Sequence, residues 1–141
     1  MLEKVLSTGQ LPIWAEEYAR TVAAASDPDC IILFGSVARN AQQQDSDIDI
    51  PVIGGDLPAS QRERFRQLMR LRPLLAPIQV QSYTRPEWEE MTAGKHVTVL
   101  EALQDGKALV GPRLFARWRR QFRDWQAQGL RRANCTWVIP H

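Results

Sequence analysis

Asp47-Ile48-Asp49-Ile50 stands ten residues beyond the Gly35-Ser36 pair that closes the apolar run Cys30-Ile31-Ile32-Leu33-Phe34. The alternation requires an extended strand in which Ile48 and Ile50 face a core while Asp47 and Asp49 share the opposite face. Two bare carboxylates so close repel, and one is pushed toward protonation unless a cation meets them. Hard oxygen ligands on a short rigid span suit Mg2+ or Mn2+, which keep waters and accept phosphate oxygens as further ligands. Gly35 lets the backbone approach a ligand, Ser36 offers a hydroxyl, and the amides that follow favour a phosphate. A metal site beside a phosphate cradle implies chemistry on a nucleoside triphosphate, with in-line attack at phosphorus and pyrophosphate leaving.

The rest of the chain narrows the setting. At 141 residues it is one domain, or a domain with a helical appendage. No stretch approaches eighteen uncharged apolar residues, so no membrane span is expected, and Met1–Trp14 lacks the pattern of a signal peptide. Cys30 and Cys135 have no CxxC spacing and no neighbouring histidine, which reads as inert packing cysteines in a reduced, cytoplasmic, zinc-free protein. Only His96 and His141 are present, against a histidine-based metal site or a Ser-His-Asp triad. The net charge of +2 conceals a split: residues 1–112 carry −4, residues 113–141 carry +6.

Hydrophobic spacing predicts a helix over 11–26, a strand over 30–34 and a second strand over 47–53 whose Pro51 suggests a sheet edge or a bulge. A helix over 59–72 follows, its arginines Arg62, Arg64, Arg66, Arg70 and Arg72 reading as a solvated face. A third strand spans 77–84, and Thr84-Arg85-Pro86-Glu87 starts a helix. Another helix around Val97–Leu103 stops at Asp105-Gly106, before a short strand at 108–111. A last helix from 113 to about 128 lines up Leu114, Phe115, Trp118, Phe122 and Trp125, a packing stripe in an arginine-rich background. The organisation expected is a domain over 1–111 and a C-terminal basic, aromatic helical extension over 112–141, packed on that domain or on a partner.

Gly35-Ser36-Val37-Ala38-Arg39-Asn40 followed by Ser46-Asp47-Ile48-Asp49-Ile50 closely resembles the GSxARG…SDIDL signature of the DNA polymerase beta-like nucleotidyltransferase superfamily. The best likeness is to its short minimal, MntA-like branch, over about residues 15–111. The resemblance implies an α+β fold, a small mixed sheet flanked by helices, and transfer of a nucleoside monophosphate from an NTP to a hydroxyl. It implies that Gly35 and Ser36 hold the triphosphate of ATP and that Asp47 and Asp49 ligate Mg2+ (or Mn2+). Arg39 lies near the turn, on phosphate or braced against an acid. Two positions depart from the pattern. Asn40 replaces a glycine, a mild change because asparagine tolerates left-handed backbone. Gln79 stands where the family places a third carboxylate, and a glutamine carries no charge and cannot act as a base. Asp45, in phase with Asp47 and Asp49 at the strand's entrance, is the nearest substitute.

Three functions compete. The first is a Mg2+-dependent nucleotidyltransferase acting on a protein or small-molecule hydroxyl. Short members of the branch pair with a helical HEPN-type partner, so this includes the antitoxin of such a pair. The second is a degenerate nucleotidyltransferase that binds nucleotide or a partner without turnover. The third and weakest is an RNA-end binder using the arginine-rich tail. A homo-oligomer is the alternative cover for the C-terminal stripe.

Overall fold

The computed structural model describes residues 13–35, 48–72, 78–134 and 136–140. Helix α1 (Ile13–Ser26) buries Trp14, Ala15, Tyr18, Ala19 and Val22 along one face, and the left-handed Asp27, at φ 46°, ends it. Strands β1 (Cys30–Gly35) and β2 (Ile48–Ile53) pair antiparallel. Helix α2 (Gln61–Arg70) is capped by Ser60, whose hydroxyl accepts from the Glu63 amide. Strand β3 (Ile78–Tyr83) runs parallel to β2. Helix α3 (Arg85–Ala93) opens with a reciprocal capping box between Thr84 and Glu87, satisfying two otherwise orphaned amides. Helix α4 (Val97–Asp105) leads into β4 (Lys107–Val110), which pairs antiparallel with β1. Helix α5 (Pro112–Ala127) and a hairpin of β5 (Arg131–Ala133) with β6 (Thr136–Val138) follow.

The result is an α+β fold: a mixed four-stranded sheet in the order β3-β2-β1-β4 with helices on both faces. Alternation along the strands divides the core. Ile31, Leu33, Ile50, Val52 and Val80 face α1 and α2, while Cys30, Ile32, Phe34 and Ile53 face α3, α4 and α5. Each fully buried aliphatic or aromatic side chain contributes about 1.5–3 kcal/mol by leaving water.

Phe115, Trp118 and Phe122 of α5 are buried in the second layer with Trp88, Leu100 and Leu103. The C-terminal stripe therefore packs on this chain's own sheet. Gly111 makes the turn possible: it adopts φ 71°, and a Cβ there would come within 2.1 Å of the Asp29 carbonyl oxygen.

Two expectations fail. Pro51 does not mark an edge, because β2 lies between β1 and β3. Its missing amide is accommodated where the β1 ladder steps from the Ile31–Val52 pair to the Phe34–Asp49 pair. Arg64 does not belong to a solvated face either; it is 3% exposed. Its guanidinium donates to the Ser82 hydroxyl at 2.9 Å, the Ala59 carbonyl at 2.8 Å and the Glu87 carboxylate at 3.2 Å. Those bonds tie α2 to β3 and to the start of α3. Among the described residues, no helix is long and apolar enough to cross a membrane.

Candidate active site

Residues 30, 32 and 34 of β1, 49, 51 and 53 of β2, and 79, 81 and 83 of β3 share one face of the sheet. Along it the chemistry changes. At the Cys30–Ile53 end the face is apolar and covered by Trp88. Toward the other end, beyond Phe34, it turns polar with Asp49 and Gln79. Asp49 stands in register with Phe34 on one side and Gln79 on the other. It is half-buried, whereas Gln79 is exposed.

The chain leaves β1 at Gly35 and re-enters the sheet at Ile48, its register partner. Gly35 adopts φ 107°, a conformation glycine takes without steric cost. Gly35 and Asp49, two residues predicted for the site, line one cavity of about 160 Å3 together with Phe34, Glu101 and Asp105. The other predicted residues, Ser36, Arg39 and Asp47, lie outside the described residues.

The far wall of the cavity was not foreseen. Glu101 and Asp105 are one helical turn apart on α4 and so project from the same face. Arg132, from the C-terminal hairpin, donates through Nη2 to both the Glu101 carboxylate and Asp105 Oδ2, the latter at 2.8 Å. The spacing of the two acids is visible in the sequence; the arginine that meets them is not.

Tyr83 lies farther along the same face, donating its hydroxyl to Gln81 Oε1 at 3.1 Å. Burial raises its pKa, and the Asp49 and Glu87 carboxylates push it further, so the hydroxyl stays protonated and serves as a donor. A larger cavity of about 310 Å3 opens at the opposite end of the strands, among Gly54, Gly55, Tyr83, Thr84 and Arg64. Its buried cation is already engaged by Ser82, Ala59 and Glu87, which makes it a structural brace.

A family model for polymerase beta nucleotidyltransferases matches residues 16–107. The chain belongs to that family. The matched segment contains β1, β2, α2, β3, α3 and α4 and stops before α5 and the hairpin. Among solved structures, this nucleotidyltransferase is similar in fold to a chain of a toxin–antitoxin complex crystallised with AMP-PNP. The two are 19% identical with a TM-score of 0.53, covering 80% of this chain and 87% of the other. A chain from a mutant MntA–HpeT toxin–antitoxin complex is similar at 18% identity and the same TM-score of 0.53, again over 80% of this chain and 87% of that one. No curated protein matches the sequence.

Proposed function

We propose that this nucleotidyltransferase moves AMP from ATP to a hydroxyl on a partner protein, in a Mg2+-dependent reaction, as the antitoxin half of a HEPN-type pair. The observation that carries the reading is the shared cavity: the glycine that ends β1 and Asp49 of β2, the register partner of the preceding Phe34, line it together. The fold likeness to chains of toxin–antitoxin complexes supports the choice of acceptor.

The donor chemistry fits a hard divalent ion. Asp49 offers carboxylate oxygens at a half-buried position, and the neighbouring Gln79 adds a neutral amide oxygen. Among the described residues no three His, Cys, Asp or Glu side chains stand at metal-holding spacing. Asp47 and the phosphates themselves would therefore complete the shell. When bound, the ion neutralises charge on the triphosphate and acidifies the attacking hydroxyl.

The chain's own residues supply the rest. Gly35 leaves room for phosphate against the backbone, and Ser36, next in the chain, offers a hydroxyl. Arg39 would meet phosphate charge. Phe34 walls the cavity with apolar surface and excludes water from one side. Gln79 can orient a group by hydrogen bonding but cannot take its proton.

That last point favours a second reading. With Gln79 beside Asp49, the site binds Mg2+–ATP but lacks the third carboxylate to promote attack, and the protein acts as a nucleotide-binding module.

Labelled ATP, Mg2+ and the product of an adjacent HEPN-like gene test the first reading. Label transfer is expected, and Asp47→Asn or Asp49→Asn should lower it at least ~100-fold, the loss of several kcal/mol of charge stabilisation. Tight Mg2+–ATP binding by calorimetry with no transfer to that partner selects the second. Absence of both binding and transfer overturns both.

A further inference from the structure

Arginine is used in two ways in this fold. Arg20, Arg64, Arg85 and Arg132 each meet a carboxylate, and Arg119 donates to the Leu103 and Gly106 carbonyls. The outward side of α5 is different. Arg113, Arg117 and Arg120 recur there at i, i+4 and i+7 and are all exposed. Among the described residues none of the three has an ion pair or hydrogen bond. Arg123, also exposed, bonds only the neutral Gln126 side chain, and Asp124 is the single acid of the helix.

Like charges at these spacings destabilise a helix, and Arg113 also stands in the first turn, where the macrodipole disfavours a cation. The crowding is felt within α5: burial, and after it the Arg123 charge, lower the Arg119 pKa, with Asp105 opposing. An anion laid along this face would relieve both penalties at once.

Three features choose the anion. Phe115, Trp118 and Phe122 are turned into the core, so α5 offers no rings on which unpaired bases could stack. The exposed large hydrophobic residues among those described are Ile13, Phe65, Val97, Val138 and Ile139, none of them on α5. Protein interfaces are anchored by apolar and aromatic side chains at their centre, whereas phosphate contacts need none. The row Arg62, Arg66 and Arg70 on α2 differs in kind, because Phe65, 48% exposed, stands among it. Lastly, the buried stripe seats α5 against the sheet, so it cannot enter the deep major groove of B-form DNA as a protruding helix does. Its arginines can still reach phosphates across the wide, shallow minor groove of A-form RNA.

We propose that the outward face of α5 binds the phosphate backbone of double-stranded RNA through Arg113, Arg117 and Arg120, without reading its sequence. Those three positions spread over about 10 Å of helix axis, enough to meet successive phosphates. The face lies beyond the segment matched to the family, so RNA binding and nucleotide transfer at Asp49 are separable.

Fluorescence anisotropy of the full chain with a labelled RNA duplex of about 20 base pairs tests this. Affinity should fall steeply between about 50 and 200 mM salt. Arg113→Gln/Arg117→Gln/Arg120→Gln should weaken binding about tenfold or more and flatten the log–log salt slope by about two to three. Arg62→Gln/Arg66→Gln/Arg70→Gln removes the same charge from α2 and should weaken binding less than about threefold. A DNA duplex of the same sequence, single-stranded RNA and poly-glutamate should each bind about threefold or more weakly than the RNA duplex.

A measurement on the native chain keeps the test open should a triple variant fail to fold. Bound RNA duplex should protect Arg113, Arg117 and Arg120 from phenylglyoxal, read by mass spectrometry, and leave Arg62, Arg66 and Arg70 reactive. Absence of duplex binding, equal losses in the two triple variants, or protection of the α2 row instead overturns the assignment. So does binding of DNA duplex, single-stranded RNA or poly-glutamate as tight as that of RNA duplex.

Discussion

Gln79 lies directly beside Asp49 across the parallel β2–β3 ladder, on the face that carries the candidate site. The pairing turns a sequence departure into a spatial one, since a carboxylate at position 79 would stand next to Asp49. In strands of a sheet, side chains at paired positions are about 5 Å apart, close enough for two carboxylates to share one metal ion.

Gln79→Asp should therefore raise Mg2+-dependent transfer, by roughly tenfold or more if proton removal limits the native reaction. The same variant should be destabilised without metal, through repulsion from Asp49, and restored by Mg2+. Label-transfer rates and thermal melts with and without Mg2+ read both effects. Unchanged transfer together with an unchanged metal response would show that position 79 does not face the reacting groups.

Arg64→Met should cost about 1–3 kcal/mol in urea unfolding, because it strips the partner from the buried Ser82 hydroxyl and from two part-buried loop carbonyls. Arg64→Lys should restore little of it, since a single ammonium cannot span partners arranged around a planar fork. The Glu87 end is half-exposed and adds little, so Glu87→Gln should lose about 1 kcal/mol or less. Full recovery by lysine would mean that charge, and not the fork, holds the brace.

The folded protein should lose stability in alkali. Burial, reinforced by the Asp29 carboxylate and only partly offset by Arg85, pushes the Cys30 thiol up to about 12. Burial likewise raises Tyr18, whose hydroxyl donates to the Leu68 carbonyl at 2.7 Å. Both groups stay protonated when folded but ionise when unfolded, near ~8.5 and ~10 respectively. Their contribution is intact below those values and declines as pH rises toward the folded pKa, by ~1.4 kcal/mol per pH unit for each group once unfolded chains have ionised. Urea midpoints between pH 8 and 11 measure the slope. In Cys30→Ala the portion that begins near ~8.5 should disappear.

A chain ending at residue 111 should not fold cooperatively. It would lose Phe115, Trp118, Phe122 and Leu130 from the cluster around Trp88 and Leu103. Removing one buried aromatic costs ~3–5 kcal/mol, and several together exceed the ~5–15 kcal/mol that stabilises a typical domain. Circular dichroism melts of the truncated and full chains decide it. A sharp transition in the truncated chain would make residues 112–141 a separable extension.

What the sequence determined by itself is whatever depends on a few neighbouring residues. The Thr84–Glu87 box starts a helix because both partners lie within one turn. The stripe of Phe115, Trp118 and Phe122 buries as a unit because 3.6-residue periodicity aligns it. Asp49 and Ile50 face opposite ways because a strand alternates, and that alone separated a site face from a core face. Tertiary structure decided everything that depends on which element becomes whose neighbour. Pro51 became interior because β3 chose the outer side of β2, and Arg64 was buried because β3 and the start of α3 came to its guanidinium. Arg132 reached Glu101 and Asp105 across 31 and 27 residues. Such contacts leave no periodicity behind: an arginine bound for a clamp and one bound for solvent look alike until the chain has folded.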